Sequence, residues 1–474
     1  MDAIDNVINA ISSFLYNGPG GKIPFVIIFL LVGGIYLTIR SRGVQFNMLG
    51  EGFKVIMEKP EGENATSSFG ALMVSTASRV GTGNIIGVST AICLGGYGAV
   101  FWMWVIALVG GASAFVESTL AQIYKKRDDD GSSYGGPSYY MEQALGQRWM
   151  GVLFAIFVIL TYAVGYNAVA AYNVQSTFAV YSFYNDSTPI IIGIVLAVLF
   201  AICILGGGTR MVKVSEYLVP IMGVIYVAVA LFVIIINIGR VPAMFGEIFR
   251  SAFDFKAIFG GFSGSCMMYG IKRGLYSNEA GMGSAPNAAA TASVSHPVKQ
   301  GLVQTLSVYL DTLVICTATA FMCMLSGFKA SEDVAGAAYV QGSLEKMFGS
   351  FGPTFIVVSL ALFAFTTIIG NYFYCEGCLR FIFKRKPSKT FLTCFRLFAA
   401  VIVFVGAIAS MALVWDMADL TQALMVVVNV PAIFILAKVA CDCLKDYKKQ
   451  KAEGKDPVFK AADIGLKEKT DFWN

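Results

Sequence analysis

Eleven apolar runs dominate this chain and leave it few ways to fold. They centre on residues 24–39, 69–96, 97–124, 149–183, 189–206, 214–237, 257–286, 299–326, 349–380, 391–415 and 417–440. Each has, or can be extended to, the roughly 20 residues a helix needs to cross a bilayer. Lipid cannot satisfy open backbone, so a spanning segment must be a helix or part of a closed barrel. A barrel needs short segments of alternating polarity, and none of these runs alternates. The expected class is an all-α integral membrane protein with about 11 transmembrane helices. Composition agrees, with 56% of the 474 residues hydrophobic and 14% charged, against roughly 45–50% and 25% in soluble domains. A soluble enzyme, a disordered chain and a nucleic-acid binder are excluded. The lipid bilayer is an expected partner and nucleic acid is not.

The ten Cys do not form a disulfide framework, since most lie inside apolar runs and act as small fillers. Cys375 and Cys378, and Cys441 and Cys443, have metal-like spacings. With one His in the chain, His296, nothing completes a four-ligand site. No metal beyond a coupling ion and no organic cofactor is expected. The N-terminus lacks the basic flank of a cleaved signal peptide.

Orientation follows from Lys and Arg in the connections. With the N-terminus outside, the inside segments 40–68, 125–148, 207–213, 287–299, 380–390 and the tail from 438 hold 25 of them, against 6 outside. The expected placement is a multi-pass protein of the cell membrane with a cytoplasmic C-terminus.

Two spans differ from the rest. The second carries Ser75, Thr76, Ser78, Arg79, Gly81, Thr82, Gly83 and Asn84 in succession. The seventh carries Gly260, Gly261, Ser263, Gly264, Ser265, Gly270, Lys272, Arg273 and Gly274. Glycine costs a helix interior about 1 kcal/mol relative to Ala, and polar backbone at membrane depth is tolerated where it lines a cavity. Both spans are expected to unwind. Spans 2–6 and 7–11 are then two sets of five, each opening with a broken helix, and an odd repeat inverts the second set. The expected organisation is residues 1–64 with an extra helix, 65–240 and 241–444 as inverted repeats, and 445–474 as a basic tail. Paired broken helices in inverted halves point to a secondary transporter with its site at the midplane. The halves share no evident residue identity, so the repeat rests on hydropathy and glycine pattern.

Unwinding frees amides on one side of the break and carbonyls on the other. Amides around Gly81, Thr82, Gly83 and Asn84 suit a carboxylate, and freed carbonyls suit Na⁺ or an ammonium group. A free amino acid matches both. Close-packing glycines are the alternative. Thr366 and Thr367 are adjacent hydroxyls in an apolar stretch. They can ligate a hard cation or bond back along their own helix. The fourth span holds Asn167, Asn173 and Gln175 among small residues, to face substrate or to join helices, and Asn167 lies nearest the expected midplane. Among Arg79, Glu117, Glu279 and Asp311, structural pairing is the expected role, Arg79 with one of the acids for instance. Lys272 and Arg273 are expected in the cytoplasmic half of their span. His296 is read as a loop histidine at a helix start, with a pH switch as the alternative.

The blocks Val80-Gly-Thr-Gly-Asn-Ile-Ile-Gly87, Gly95-Gly-Tyr-Gly-Ala-Val-Phe-Trp-Met-Trp104, Gly135-Gly-Pro-Ser-Tyr-Tyr140, Arg273-Gly-Leu-Tyr-Ser-Asn-Glu-Ala-Gly-Met-Gly-Ser-Ala-Pro286, His296-Pro-Val-Lys-Gln-Gly-Leu302 and Asp311-Thr-Leu-Val-Ile-Cys-Thr-Ala-Thr-Ala320 resemble the alanine or glycine:cation symporter family. The resemblance implies a leucine-transporter-type fold and Na⁺-coupled, less often H⁺-coupled, uptake of alanine or glycine. It implies a carboxylate site at Gly81, Thr82 and Gly83. It implies a Na⁺ site from the Ala77, Val80 and Phe363 carbonyls with Thr366 and Thr367, and Asn84 as a ligand of a second ion. Its transfer onto the seventh span is looser, and the window chosen there for substrate contacts is Ser265, Met267, Met268 and Gly270. Arg79 lies outside the wider fold's shared pattern.

The reading is Na⁺-coupled symport of small neutral amino acids by alternating access, without covalent chemistry. Rival readings are an ion channel, which needs a continuous pore, and a membrane enzyme, which needs a metal cluster or nucleophile and base. A third is a transporter of this fold for another solute.

Overall fold

The computed structural model describes residues 2–18, 24–60, 66–128, 131–205, 208–254, 265–466 and 468–474. Helix α1 (Asp2–Asn17) precedes α2 (Phe25–Arg40). The second span is two pieces, α3 (Ser68–Arg79) and α4 (Ile86–Gly95), joined by a single turn at Thr82–Asn84. Then come α5 (Gly98–Ile123), α6 (Arg148–Val180), α7 (Thr188–Leu205), α8 (Gly208–Ile236) and α9 (Val241–Ala252). The seventh span resolves into α10 (Cys266–Asn278) and the short α11 (Pro286–Ala289). The remainder are α12 (Pro297–Leu325), α13 (Ala337–Phe348), α14 (Phe351–Phe383), α15 (Lys389–Ile408) and α16 (Met411–Ala452).

Eight of these helices are long and apolar enough to cross a membrane, and Phe25–Arg40 and Thr82–Gly95 are shorter apolar helices. Helices α5 and α12 are 67% and 72% buried over their spanning windows, whereas α7, α8 and α15 are only 28–33% buried. The sequence explains the difference. The outer helices expose Ile190, Ile194, Val198, Val224, Phe232, Leu397 and Val401, an apolar surface that suits lipid. The central helices instead carry small residues that allow close approach. A side chain at Gly301 of α12 would collide with Thr119 and Phe115 of α5, and the outer helix α15 makes a similar approach on its inner face, where one at Gly406 would collide with Ala168 of α6. Two helices contain a wide π turn, Leu160–Tyr166 in α6 and Leu310–Cys316 in α12.

Three expectations change. Residues 411–415, read as the end of the tenth span, belong to α16, because the chain breaks at Ala409–Ser410, where the Ser410 hydroxyl caps the new helix. The tail expected from 445 begins only after Ala452, since α16 runs through its Lys-rich last turns without interruption. It is also no free tail, as Phe459, Ala461 and Trp473 are buried. The boundary at 240 falls where the turn Ile238–Arg240 meets α9, and that at 64 lies outside the described residues. So do Gly260, Gly261, Ser263 and Gly264.

His296 caps α12. Its Nδ1 accepts from the Val298 amide (3.2 Å), and its Nε2 lies 3.2 Å from Asp446 Oδ2. Burial pushes the imidazole below its ordinary 6.5, to about 4, against the raising pull of Asp446. A base whose folded pKa is depressed contributes stability present above its unfolded value and lost as pH falls toward the folded one. Acidification from pH 6.5 to 5 should therefore remove about 2 kcal/mol through this group alone. His296→Asn, which keeps a cap acceptor without the titration, should flatten the apparent melting temperature over that range. An unchanged slope would place the titration elsewhere.

Candidate functional site

The first break is built by a side chain that replaces the helical ladder. The Gly81 amide donates to Asn84 Oδ1 (2.8 Å) and the Asn84 amide to the Gly81 carbonyl (3.2 Å). The carbonyls of Ala77 and Val80 thereby lose the partners four residues on that a continuous helix would supply. The amides of Thr82 and Gly83 open a new turn and have no acceptor within it. The Thr82 hydroxyl accepts from Asn173 Nδ2 (3.0 Å).

Helix α14 packs against this break. A side chain at Gly370 would lie 2.7 Å from the Ser78 amide, and one at Gly81 would collide with the Thr367 hydroxyl. The Thr367 Oγ1 is buried and has no hydrogen-bond partner among the described residues. Thr366 does bond back, to Leu362 O (3.2 Å) and Phe363 O (3.0 Å). Back-bonding directs the proton to a carbonyl and leaves the oxygen lone pairs for a cation. Beside Gly81 the structure thus brings together an orphaned hydroxyl, that of Thr367, and freed carbonyls, neutral oxygens of the kind that suit a hard cation.

The second break lies at Glu279–Ala285, about ten residues beyond the window chosen from sequence. Glu279 takes a left-handed conformation (φ 57°), followed by Gly281 (φ 88°) and Gly283 (φ 81°). The window was misplaced because glycine in α10 serves packing. Gly270 meets the Ala99 backbone and Trp102, and Gly274 meets Ile106. Ser265 caps the start of α10 by accepting from the Met268 amide (3.2 Å). Ser265, Met267, Met268 and Gly270 thus stand at the far end of that helix, eight or more residues from the unwound turn. Lys272 and Arg273 are corrected with them, for they lie on the Ser265 side of the break, opposite Pro286. There Asp419 of α16 holds both, Lys272 at 2.7 Å and Arg273 through both of its carboxylate oxygens (3.0 and 3.2 Å).

The buried acids brace the breaks. Glu279 Oε2 accepts from Ser284 (2.7 Å) and faces Arg79 Nε at 4.0 Å, the expected pairing. Ser78 Oγ lies 3.0 Å from Glu279 Oε1 and 2.8 Å from Asn371 Oδ1, so its single proton serves one of the two. Glu117 accepts from Asn429 Nδ2 (2.8 Å) and the Gly281 amide (3.4 Å). Asp311 accepts from Asn84 Nδ2 (2.7 Å), Ser277 (2.7 Å) and Thr312 (2.9 Å), tying the first break to α10 and α12. Asn84 therefore braces the bend in this arrangement, its oxygen taken by Gly81. Asn167 contacts Asn371 (2.9 Å) rather than the bend. Asn173, two turns further along α6, is the asparagine that reaches Thr82. On the α10 side the bend is closed by aromatic rings. A Cβ at Gly83 would lie 2.5 Å from the Tyr276 ring, which packs between Tyr166 (4.4 Å) and Trp415 (4.9 Å).

Two helices that unwind against each other inside a membrane-crossing bundle make a solute path rather than a catalytic cleft. The chain is a secondary transporter of the leucine-transporter-type fold. That fold is shared with the crystal structure of MhsT in complex with L-phenylalanine, at a TM-score of 0.50 and 14% identity over 85% of this chain and 92% of that one. By sequence the chain belongs to the sodium:alanine symporter family, whose model matches residues 1–461. It is 46% identical to the amino-acid carrier protein AlsT of Bacillus subtilis over 96% of both chains. It is 46% identical to the probable sodium/glutamine symporter GlnT of the same organism over 92% of this chain and 90% of that one. It is 37% identical to the sodium/alanine symporter AgcS of Methanococcus maripaludis over 95% of this chain and 99% of that one. It is a symporter and not an enzyme, and its family's sodium coupling implies Na⁺ as the coupling ion.

Proposed function

We propose that this symporter carries alanine and glycine into the cell with Na⁺ by alternating access, through five-plus-five inverted helices within about 11 spans. The N-terminus is outside and the C-terminus cytoplasmic, in the plasma membrane. The substrate carboxylate binds the amides of Thr82 and Gly83 at the helical turn they open, where the dipole favours an anion. Asn173 positions the Thr82 hydroxyl beside it. The carbonyls of Ala77, Val80 and Phe363 with the hydroxyls of Thr366 and Thr367 bind Na⁺. Asn84 with Asp311 marks a second cation position, since this carboxylate meets only neutral donors.

The observation that carries the reading is the partnerless Thr367 hydroxyl against Gly81, at the point where two carbonyls lose their helical partners. The tight Tyr276 contact with Gly83 favours a small side chain over glutamine. The test is uptake of labelled L-alanine into proteoliposomes under an inward Na⁺ gradient, with K⁺ as control and glycine, serine and glutamine as competitors. Saturable, Na⁺-dependent accumulation blocked by glycine and not by glutamine is expected. Equal accumulation under a pH gradient alone would remove the Na⁺ assignment, and block by glutamine alone would change the substrate.

A further inference from the structure

The segment after α16 is built into the basic end of the protein. From Asp456 the chain runs back across the ends of α5 and of the second broken span. The Phe459 amide donates to Ser295 O (2.9 Å), and Ser295 Oγ to Pro457 O (2.8 Å). Phe459 packs edge-on against His296 (5.2 Å) and Trp473 (5.6 Å). The Ala461 amide donates to Trp473 O (2.6 Å), which closes the segment on itself. The Trp473 indole N–H donates to Gln122 O (2.8 Å) at the end of α5, while Gln122 Nε2 donates to Ala292 O (2.9 Å). Lys126 pairs with Asp471 (2.9 Å), and Phe472 lies under Arg127 (4.4 Å) and Lys125 (4.6 Å).

These contacts continue to the transport site. Residue Ser293, beside the anchored Ser295, donates its amide to Thr66 O (2.9 Å), and Thr66 forms an isolated parallel bridge with Ala292. Thr66 stands two residues before α3, the half-helix that ends at Arg79 and the break. A continuous series of bonds thus joins Trp473 and Phe459 to 292–295, to Thr66 and so to α3. For solute to leave toward the basic end, α3 and 292–295 must separate.

We propose that segment 456–474 is an inner strap, which holds α3 against 292–295 while the site is closed on the basic side and undocks when it opens. The proposal rests on the reading that release occurs at this end. Two features make docking a balance rather than permanent closure. Lys125 is buried beneath Phe472 and Trp473, and desolvation with the nearby Arg127 pushes its ammonium down to about 7. A cavity of about 510 Å³ also undercuts the start of the strap, between Ser293–Ser295 and Gly454–Asp456.

The test is amide hydrogen exchange on the full chain in nanodiscs, comparing the parent with Trp473→Ala and with the milder Asp471→Asn. Undocking should raise exchange at least tenfold at 66–72 and 290–296 in Trp473→Ala, less in Asp471→Asn, and leave α7 and α15 unchanged. In parallel, the Na⁺ concentration for half-maximal alanine uptake should rise about threefold, because the inward-open state becomes more populated. Faster exchange confined to 456–474, with 66–72 and 290–296 within twofold of the parent, would reduce the strap to a passive cover. The exchange result stands even if the parent transports no alanine, so the two readings fail separately. If Trp473→Ala does not fold, Asp471→Asn decides by the same comparison.

Discussion

Valine in place of Thr367 should weaken sodium binding with little effect on the fold. Val has the shape of Thr without its oxygen, and the lost hydroxyl has no partner among the described residues. Removing an unsatisfied buried polar atom is neutral or stabilising, since the desolvation it suffered was about 1–3 kcal/mol. The apparent melting temperature without Na⁺ should hold or rise. The Na⁺ concentration for half-maximal alanine uptake should rise about tenfold or more, which corresponds to about 1.4 kcal/mol. The rise in melting temperature that Na⁺ gives the parent should shrink in step, because a ligand stabilises only the state that binds it. Thr366→Val should combine a similar loss with an altered helix, since that hydroxyl also bonds back to Leu362 and Phe363. Half-saturation of Thr367→Val within twofold of the parent would remove this residue from the ion site.

The second large effect is expected at Arg79. It is among the largest fully buried side chains, and its guanidinium lies between Glu279 and Gln304. Removing one partner of a buried pair leaves the other charge uncompensated, at about 3–5 kcal/mol. Arg79→Met, which keeps much of the volume, should therefore express poorly or melt about 3–5 °C lower. Pairing it with Glu279→Gln should restore most of that loss, because a neutral pair leaves no lone charge. A double variant no more stable than Arg79→Met would show that Arg79 acts through something other than Glu279. Transport need not return with stability, since Glu279 also holds Ser78 and Ser284 at the two breaks.

Much of this architecture was legible because lipid imposes a blunt rule on sequence. Most of the apolar runs marked helices within a few residues, the last two being the exception, and the polar string Ser75–Asn84 marked the first break. The second break was misread for a physical reason. Gly270 and Gly274 look like helix breakers in sequence, yet their lack of a side chain lets α5 approach. The informative signal was Gly281-Met-Gly283 before Pro286, a Gly-x-Gly like Gly81-Thr-Gly83, with both glycines at positive φ. Asn173 was one of three amides marked on the fourth span, but its choice over Asn167, like the donors around Asp311, depends on which helices face one another. The strap was invisible for another reason. Its Lys-rich composition reads as solvated charge, while its anchors are a few scattered residues, Phe459, Phe472 and Trp473.

The wide turn at Leu310–Cys316 makes the length of α12 a determinant in its own right. Such a turn holds one residue more than an α-helix of the same rise. It lies between Thr305, fixed to Gly111 O at 3.0 Å, and Thr319, which donates to Asn84 O at 2.6 Å and meets Tyr226 at 2.7 Å. Deleting one residue within it would restore ordinary winding and leave the two ends in phase, whereas inserting a further residue beside it would swing everything downstream by about 100°. Thr319 would then point away from the first break, although no side chain at the site had been altered. The wide turn, by absorbing its surplus residue, keeps the two ends of α12 in phase whatever the identity of the residues in it.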